Sequence, residues 1–249
     1  MVMSRRAHCR AHATAIVLLL VIGGSFPASF GRAQVLAAPA SGFGFGAAAT
    51  ARAWRSADAP AIGSHRALRF ERVLGQREWY TCGAAAVATW LTFYLGRPTT
   101  ESEVLQVALG SMLSRGESPS GGLTLRSLQA ALAHFGLTAR GYRIDTGALM
   151  EHFARGGLPV LIHVTRPQLH YVLAVGVVDG RLVLADPAYG EYSVTLFELV
   201  HWKGFQGVVL AAELDGERAA AARARQREAL AVHAASRTRL ARLRDVIAW

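Results

Sequence analysis

The hydrophobic period of this chain changes once, near residue 157, and that change constrains the fold more than any other feature. Before it, apolar residues recur at helical spacing between capping and stop signals. After it, short β-branched runs alternate with turn signals. Helices first and an antiparallel sheet second make an α+β domain, with the N-terminal helices packed on the C-terminal sheet.

The helical half divides cleanly. Thr81 is a candidate N-cap for a helix running to Leu95, with Ala84, Ala85, Val87, Ala88 and Leu91 on several faces, which predicts a buried helix. Gly96-Arg97-Pro98 stops it. Thr100 and Glu103 have capping-box spacing ahead of a helix over 101–113. A Gly- and Ser-rich loop covers 115–122, and a third helix is expected over 124–135. Asp145 or Thr146 caps a short helix reaching Ala154. Residues 69–74 read as a short strand or an extended approach. Strands are expected at 159–164, 170–178, 181–185, 192–195 and 207–211, with Val178-Asp179-Gly180-Arg181 as a hairpin turn and one helical turn over 196–201.

The ends differ from this compact part, which spans 68–212. Arg5, Arg6 and Arg10 precede the uncharged run 13–24, and Gly31-Arg32-Ala33 offers small residues for a signal peptidase. Residues 1–33 therefore read as a signal peptide, and 34–67 as an Ala-, Gly- and Ser-rich lead-in with little apolar area to bury. Export to the periplasm, or secretion, is the expectation. The formal charge of +10 falls to about +6 without the four arginines of 1–33, and much of the rest lies in the tail. Nothing resembles a nucleic-acid module. The tail, 213–249, is Ala- and Arg-rich and favours helix. Leu230, Leu240, Leu243, Val246, Ile247 and Trp249 give it a late apolar stripe, for packing on the domain or for contact with a partner or membrane surface.

Cys9 lies before the apolar run and is discarded with it, so Cys82 is the one cysteine left after export. A lone thiol opening a small-residue helix cannot form an internal disulfide, and a helix N-terminus favours a reactive sulfur. Nucleophilic chemistry then needs a proton-exchanging partner and oxyanion donors. His170, at the head of His170-Tyr171-Val172-Leu173, is the partner chosen, against a plain strand-start histidine. His163 lies inside a strand pattern and reads as structural, while His134, His152 and His201 fall in helical patterns. Asp186 ends Leu182-Val183-Leu184-Ala185 and can orient an imidazole, although a turn-capping role fits the local pattern equally. Gln76 precedes Cys82 on the approach to the helix, where its amide can share the oxyanion with the Cys82 N–H. Trp79 and Tyr80 shape a cleft or simply pack. No i,i+4 histidine pair comes with a third ligand in clear context, so no metal site is expected.

Gln76, Thr81-Cys82-Gly83-Ala84-Ala85, His170-Tyr171-Val172 and Asp186-Pro187-Ala188-Tyr189-Gly190 together resemble the C39 family of bacterial peptidases. Gly122 to Leu128 and Trp202 to Leu210 resemble it too, so the likeness covers about 68–212. It implies a papain-like fold and a thiol peptidase without cofactor. It assigns Cys82 as nucleophile, His170 as general base and acid, Asp186 as orienting residue and Gln76 as oxyanion donor. Family members commonly cut leader peptides after paired glycines, often as domains of peptide-exporting transporters. This chain instead has its own export signal, and Thr81 stands where the family often has aspartate. Its layout is similar to the periplasmic C39-like protein of functional-amyloid secretion operons. That implies a peptide or protein substrate, such as an amyloid subunit or a secretion-system component, cut near small residues. Two other readings stay open: a non-proteolytic module that holds export substrates, and a thiol acyltransferase or deamidase.

Overall fold

The computed structural model describes residues 65–247. The expected signal peptide, and the lead-in as far as residue 64, lie outside the described residues. The chain enters through α1 (His65–Arg69) and a turn. The strand considered at 69–74 is absent, because this stretch satisfies its backbone without a neighbouring strand. Phe70 N–H donates to the Arg66 carbonyl at 3.1 Å, and Leu74 N–H donates to Thr89 Oγ1 at 2.9 Å.

The expected helix from Cys82 forms as α2 (Cys82–Thr89) and continues as a π-helical turn, Trp90–Tyr94. Every residue of α2 is buried. Its alanines let it sit between α3 (Glu101–Leu113) and the sheet, close to both. The capping box of α3 is present: Glu103 N–H donates to Thr100 Oγ1 at 3.3 Å, and the Glu103 carboxylate accepts from Thr100 N–H at 2.7 Å. Thr124 caps α4 (Leu125–His134) and Asp145 caps α5 (Thr146–Ala154).

The sheet holds β1 (Thr138–Arg143), β2 (Val160–Val164), β3 (His170–Val178), β4 (Arg181–Asp186), β5 (Gly190–Val194) and β6 (Val208–Glu213). Their order is β1-β6-β2-β3-β4-β5, and every neighbouring pair is antiparallel. The hairpin turn joins β3 and β4 with positive φ at Asp179 (51°) and Gly180 (71°), as an Asp-Gly turn requires. One strand was not foreseen. β1 is an edge strand, exposed except at Ala139, and its Arg, Gly and Tyr show no alternation. The helical turn expected at 196–201 forms as a π-helical turn, Glu198–Trp202.

Two apolar clusters flank the sheet. One joins α2, α3 and α4 to Leu161, Leu173, Val175, Val183 and Leu210; the other covers Ile162, Val172 and Leu184 with Leu149 and Leu199. The tail forms α6 (Gly216–Ile247), which packs on β3 and the Trp90–Tyr94 turn. Among the described side chains its buried face is Ala219, Ala222, Gln226, Ala229 and His233; the expected late stripe from Leu240 onward lies outside them. Gln226 Nε2 donates to the carbonyls of Val175 at 2.6 Å and Gly157 at 2.9 Å, which makes its burial tolerable. Leu230 lies against Gly176, where an added Cβ would come within 2.6 Å of it. Among the described residues, no helix is long and apolar enough to cross a membrane.

Candidate active site

Cys82 begins α2 with its side chain buried, directly after Thr81. Thr81 occupies the N-cap position but does not cap. Its hydroxyl donates to the Glu78 carbonyl at 2.9 Å and accepts from Glu78 N–H at 3.2 Å, closing the turn ahead of the helix. The first-turn N–H groups of α2 are left without a side-chain acceptor. A helix end of that kind favours negative charge beside it.

The loop ahead of Cys82 carries Gln76 and is tied down at three points. Leu74 N–H is held by Thr89 of α2, Gln76 N–H donates to the Pro187 carbonyl at 3.0 Å, and Arg77 N–H donates to the buried Glu101 carboxylate at 3.0 Å. The second bond fastens this loop to the segment leaving Asp186. Gln76 itself is half-buried, and its Nε2 donates to the Glu78 carbonyl at 3.0 Å.

His170 opens β3 and Asp186 closes β4, and the structure brings the two together at the same end of the sheet. His170 Nε2 lies 2.8 Å from Asp186 Oδ1. Both are buried, at 7% and 1% exposure, so the pair is withdrawn from bulk water. Burial acts to lower the His170 pKa, but bonding to Asp186 and the nearby Cys82 outweigh it and raise it to about 9. The other ring nitrogen, Nδ1, is buried and makes no hydrogen bond. Burial pushes the Asp186 carboxyl up, yet its bonds from His170, Tyr192 and the Ala188 amide hold it below the usual range. Oδ1 also accepts from the amides of Ala188 at 2.8 Å and Tyr189 at 3.3 Å, and Oδ2 accepts from Tyr192 Oη at 2.8 Å.

Tyr192 was missed by the sequence reading. It stands on β5 opposite Leu184 in a hairpin that pairs Asp186 with Gly190. Reading 186–194 as a tight hairpin would have returned its phenol to the carboxylate. Gly190 makes that turn possible: its φ is +76°, and an added Cβ would lie 2.6 Å from the Arg69 carbonyl oxygen. His163 sits in β2 opposite Tyr171, with ring centroids 4.9 Å apart. Burial and the neighbouring His170 push its pKa down. His134, His152 and His201 lie at the ends of helical segments. Trp79 is exposed and packs edge-on against Tyr80. Among the described residues, no three His, Cys, Asp or Glu side chains group to hold a metal ion.

A buried imidazole bonded to a carboxylate, beside a thiol at an uncapped helix start, is an arrangement suited to thiol chemistry. The chain is 29% identical over 154 residues to a probable functional amyloid protease, FapD, of Pseudomonas aeruginosa, which covers 60% of this chain. The chain spans 64% of that relative's length, short of two thirds. It is 30% identical over 146 residues to an uncharacterised protein of Methanothermobacter marburgensis, covering 57% of this chain and 89% of that one. A crystal structure of a double glycine motif protease from an AMS/PCAT transporter, in complex with its leader peptide, is 26% identical. It covers 57% of this chain and 91% of that chain, with a TM-score of 0.47. Residues 71–215, more than half of the sequence and all of the segment that carries Gln76, Cys82, His170 and Asp186, match the family model directly, and the chain belongs to the Peptidase C39 family.

Proposed function

We propose that this protein is an exported cysteine endopeptidase in which Cys82 is the nucleophile, His170 the general base and acid, Asp186 the orienting residue and Gln76 an oxyanion donor. The observation that carries the reading is the state of His170. Its Nε2 is fixed on Asp186, its Nδ1 is free and buried, and Cys82 contributes to raising its pKa. An imidazole held in this way carries a proton at Nδ1 beside the attacking sulfur and delivers it to the leaving amine. The sulfur attacks the peptide carbonyl carbon, the amine leaves with that proton, and water then hydrolyses the thioester.

The developing oxyanion is met by the Cys82 N–H and the Gln76 amide. Turning Gln76 toward it costs little, because the Glu78 carbonyl keeps the N–H of Thr81 at 3.2 Å and its hydroxyl at 2.9 Å. The relative in Pseudomonas aeruginosa bears the name of a functional amyloid protease, which supports a substrate among exported amyloid subunits or their secretion partners. Cleavage falls beside small residues, at a Gly-Gly or Gly-Ala bond, in the periplasm or outside the cell.

The test incubates the purified protein, its Cys82→Ala variant and its His170→Ala variant with the exported proteins encoded beside its gene, and reads intact masses. A discrete cut made only by the unmodified protein is the expected result. Equal retention of one neighbour by all three proteins, with no mass change, would instead identify a binding module.

A further inference from the structure

Lys203 is the only lysine in the chain; every other basic residue that carries a fixed charge is arginine. It lies in the wall of a cleft formed also by Arg166, Gln168, His170 and Tyr189, with Asp186 at the back. Cys82 takes no part in that wall. If the imidazole gives its proton to the leaving amine, the residues that follow the cut bond pass on the His170 side of the sulfur. This cleft is on that side.

The cleft is built rather than incidental. Lys203 N–H donates to the Glu198 carbonyl, and the Lys203 carbonyl accepts from the amides of Thr165 and Arg166, all at 3.0 Å. Gly204 turns the chain beneath it with φ +67°, where an added Cβ would lie 2.4 Å from Thr165 Oγ1. The ammonium rests 4.7 Å from the ring centre of Tyr192 and 5.2 Å from that of Tyr189. Arg166 is anchored on the His201 carbonyl at 2.7 Å.

The charges do not cancel. Lys203 forms no ion pair among the described residues, and Asp186, the cleft's one carboxylate, is already occupied at both oxygens. A compact ammonium held by two aromatic faces, without a counter-ion, is a fixed positive point beside the imidazole. The open space is about 30 Å³. One water-sized oxygen needs roughly 10–15 Å³, so there is room for the two oxygens of a carboxylate.

The geometry points to a carboxylate-recognition subsite, in which Lys203, with Arg166 beside it, receives an acidic side chain from the second residue after the cut bond. The inference rests on the peptidase reading above. The experiment exposes the full chain to a peptide library made by digesting a whole proteome, and identifies the new N termini by mass spectrometry. Cys82→Ala supplies the background. The readout is the ratio of acidic to neutral sites within each protein's own products, so a general loss of activity cancels. Asp and Glu at the second position are expected to be enriched about threefold, the scale of a partly exposed charge pair. Lys203→Met abolishes the enrichment, and Lys203→Glu replaces it with one for arginine. Because the chain has one lysine, acetylating the folded protein while Cys82 is reversibly blocked as a mixed disulfide, then reducing it, removes the same charge without a folding step, and the enrichment is lost there too. Cys82-dependent cleavage with no acidic preference, or with a preference that survives acetylation and Lys203→Met, overturns the subsite alone. An absence of Cys82-dependent termini overturns the peptidase reading and the subsite with it.

Discussion

Replacing Asp186 with Asn keeps the shape of the side chain and removes the charge that His170 Nε2 meets at 2.8 Å. In the native protein His170 has a pKa raised from 6.5 to about 9. The folded state therefore binds this proton more tightly than the unfolded chain does. The resulting stability is complete below pH 6.5 and is lost as pH rises through about 9. A rise of that size corresponds to about 3 kcal/mol. In Asp186→Asn the largest single influence left on the ring is burial, which disfavours its charged form. Only Cys82 then still favours the ring's proton, and the folded state holds it less tightly than the native protein does. Urea unfolding followed by tryptophan fluorescence, at intervals from about pH 6 to 9.5, measures the difference. The native protein is expected to lose more than the variant across that window, by up to about 3 kcal/mol. Parallel pH curves for the two proteins, or a native loss confined below pH 6, would refute the claim that Asp186 holds a protonated His170.

Three further outcomes follow from the same geometry. Tyr192→Phe removes the hydroxyl donor to buried Asp186 Oδ2, which is worth about 1.5–3 kcal/mol for a bond to a charged group; its acid limb of activity moves to higher pH, seen in a kcat/KM–pH profile. Gly190→Ala forces a side chain into a backbone at φ +76° and against the Arg69 carbonyl, costing about 2–4 kcal/mol in denaturant unfolding. Asp145→Ala removes the cap bond to Ala148 N–H, 2.7 Å long, and lowers stability by about 1 kcal/mol while kcat/KM stays unchanged.

The parts of this fold that were legible in the sequence are those written in local chemistry. The Thr100–Glu103 box, the Asp145 cap and the Asp179-Gly180 turn each depend on a few adjacent residues, and each forms as read. The parts that were not legible depend on partners distant in sequence. β1 exists because β6 pairs with it along Thr138 to Arg143, although its own residues carry no strand pattern. The buried face of α6 is mostly alanine, with Gln226 and His233 accepted because they bond to Val175 and Glu191. Alanines and bonded polar residues carry no hydropathy signal for such a face, while Leu230, the first residue of the expected stripe, does pack against Gly176. Thr81 looks like a cap because threonine precedes a helix, yet its hydroxyl is committed to Glu78. At the candidate site, Cys82, His170, Asp186 and Gln76 were candidates from local pattern and from the family resemblance, and the structure bonds His170 to Asp186. The support beneath them, Tyr192 on Asp186 and Pro187 on the Gln76 loop, needed the hairpin and loop geometry.

The central claim is that the Cys82 sulfur attacks a carbonyl, and its most direct test is to catch the thioester. The protein is mixed with a cleaved exported substrate, quenched in acid within one turnover and weighed intact, with peptide mapping of the adduct. The account predicts an acyl group on Cys82 that hydroxylamine removes and that Cys82→Ala never forms. Substrate cleaved at full rate with no adduct on Cys82, or an adduct on another residue, would contradict it.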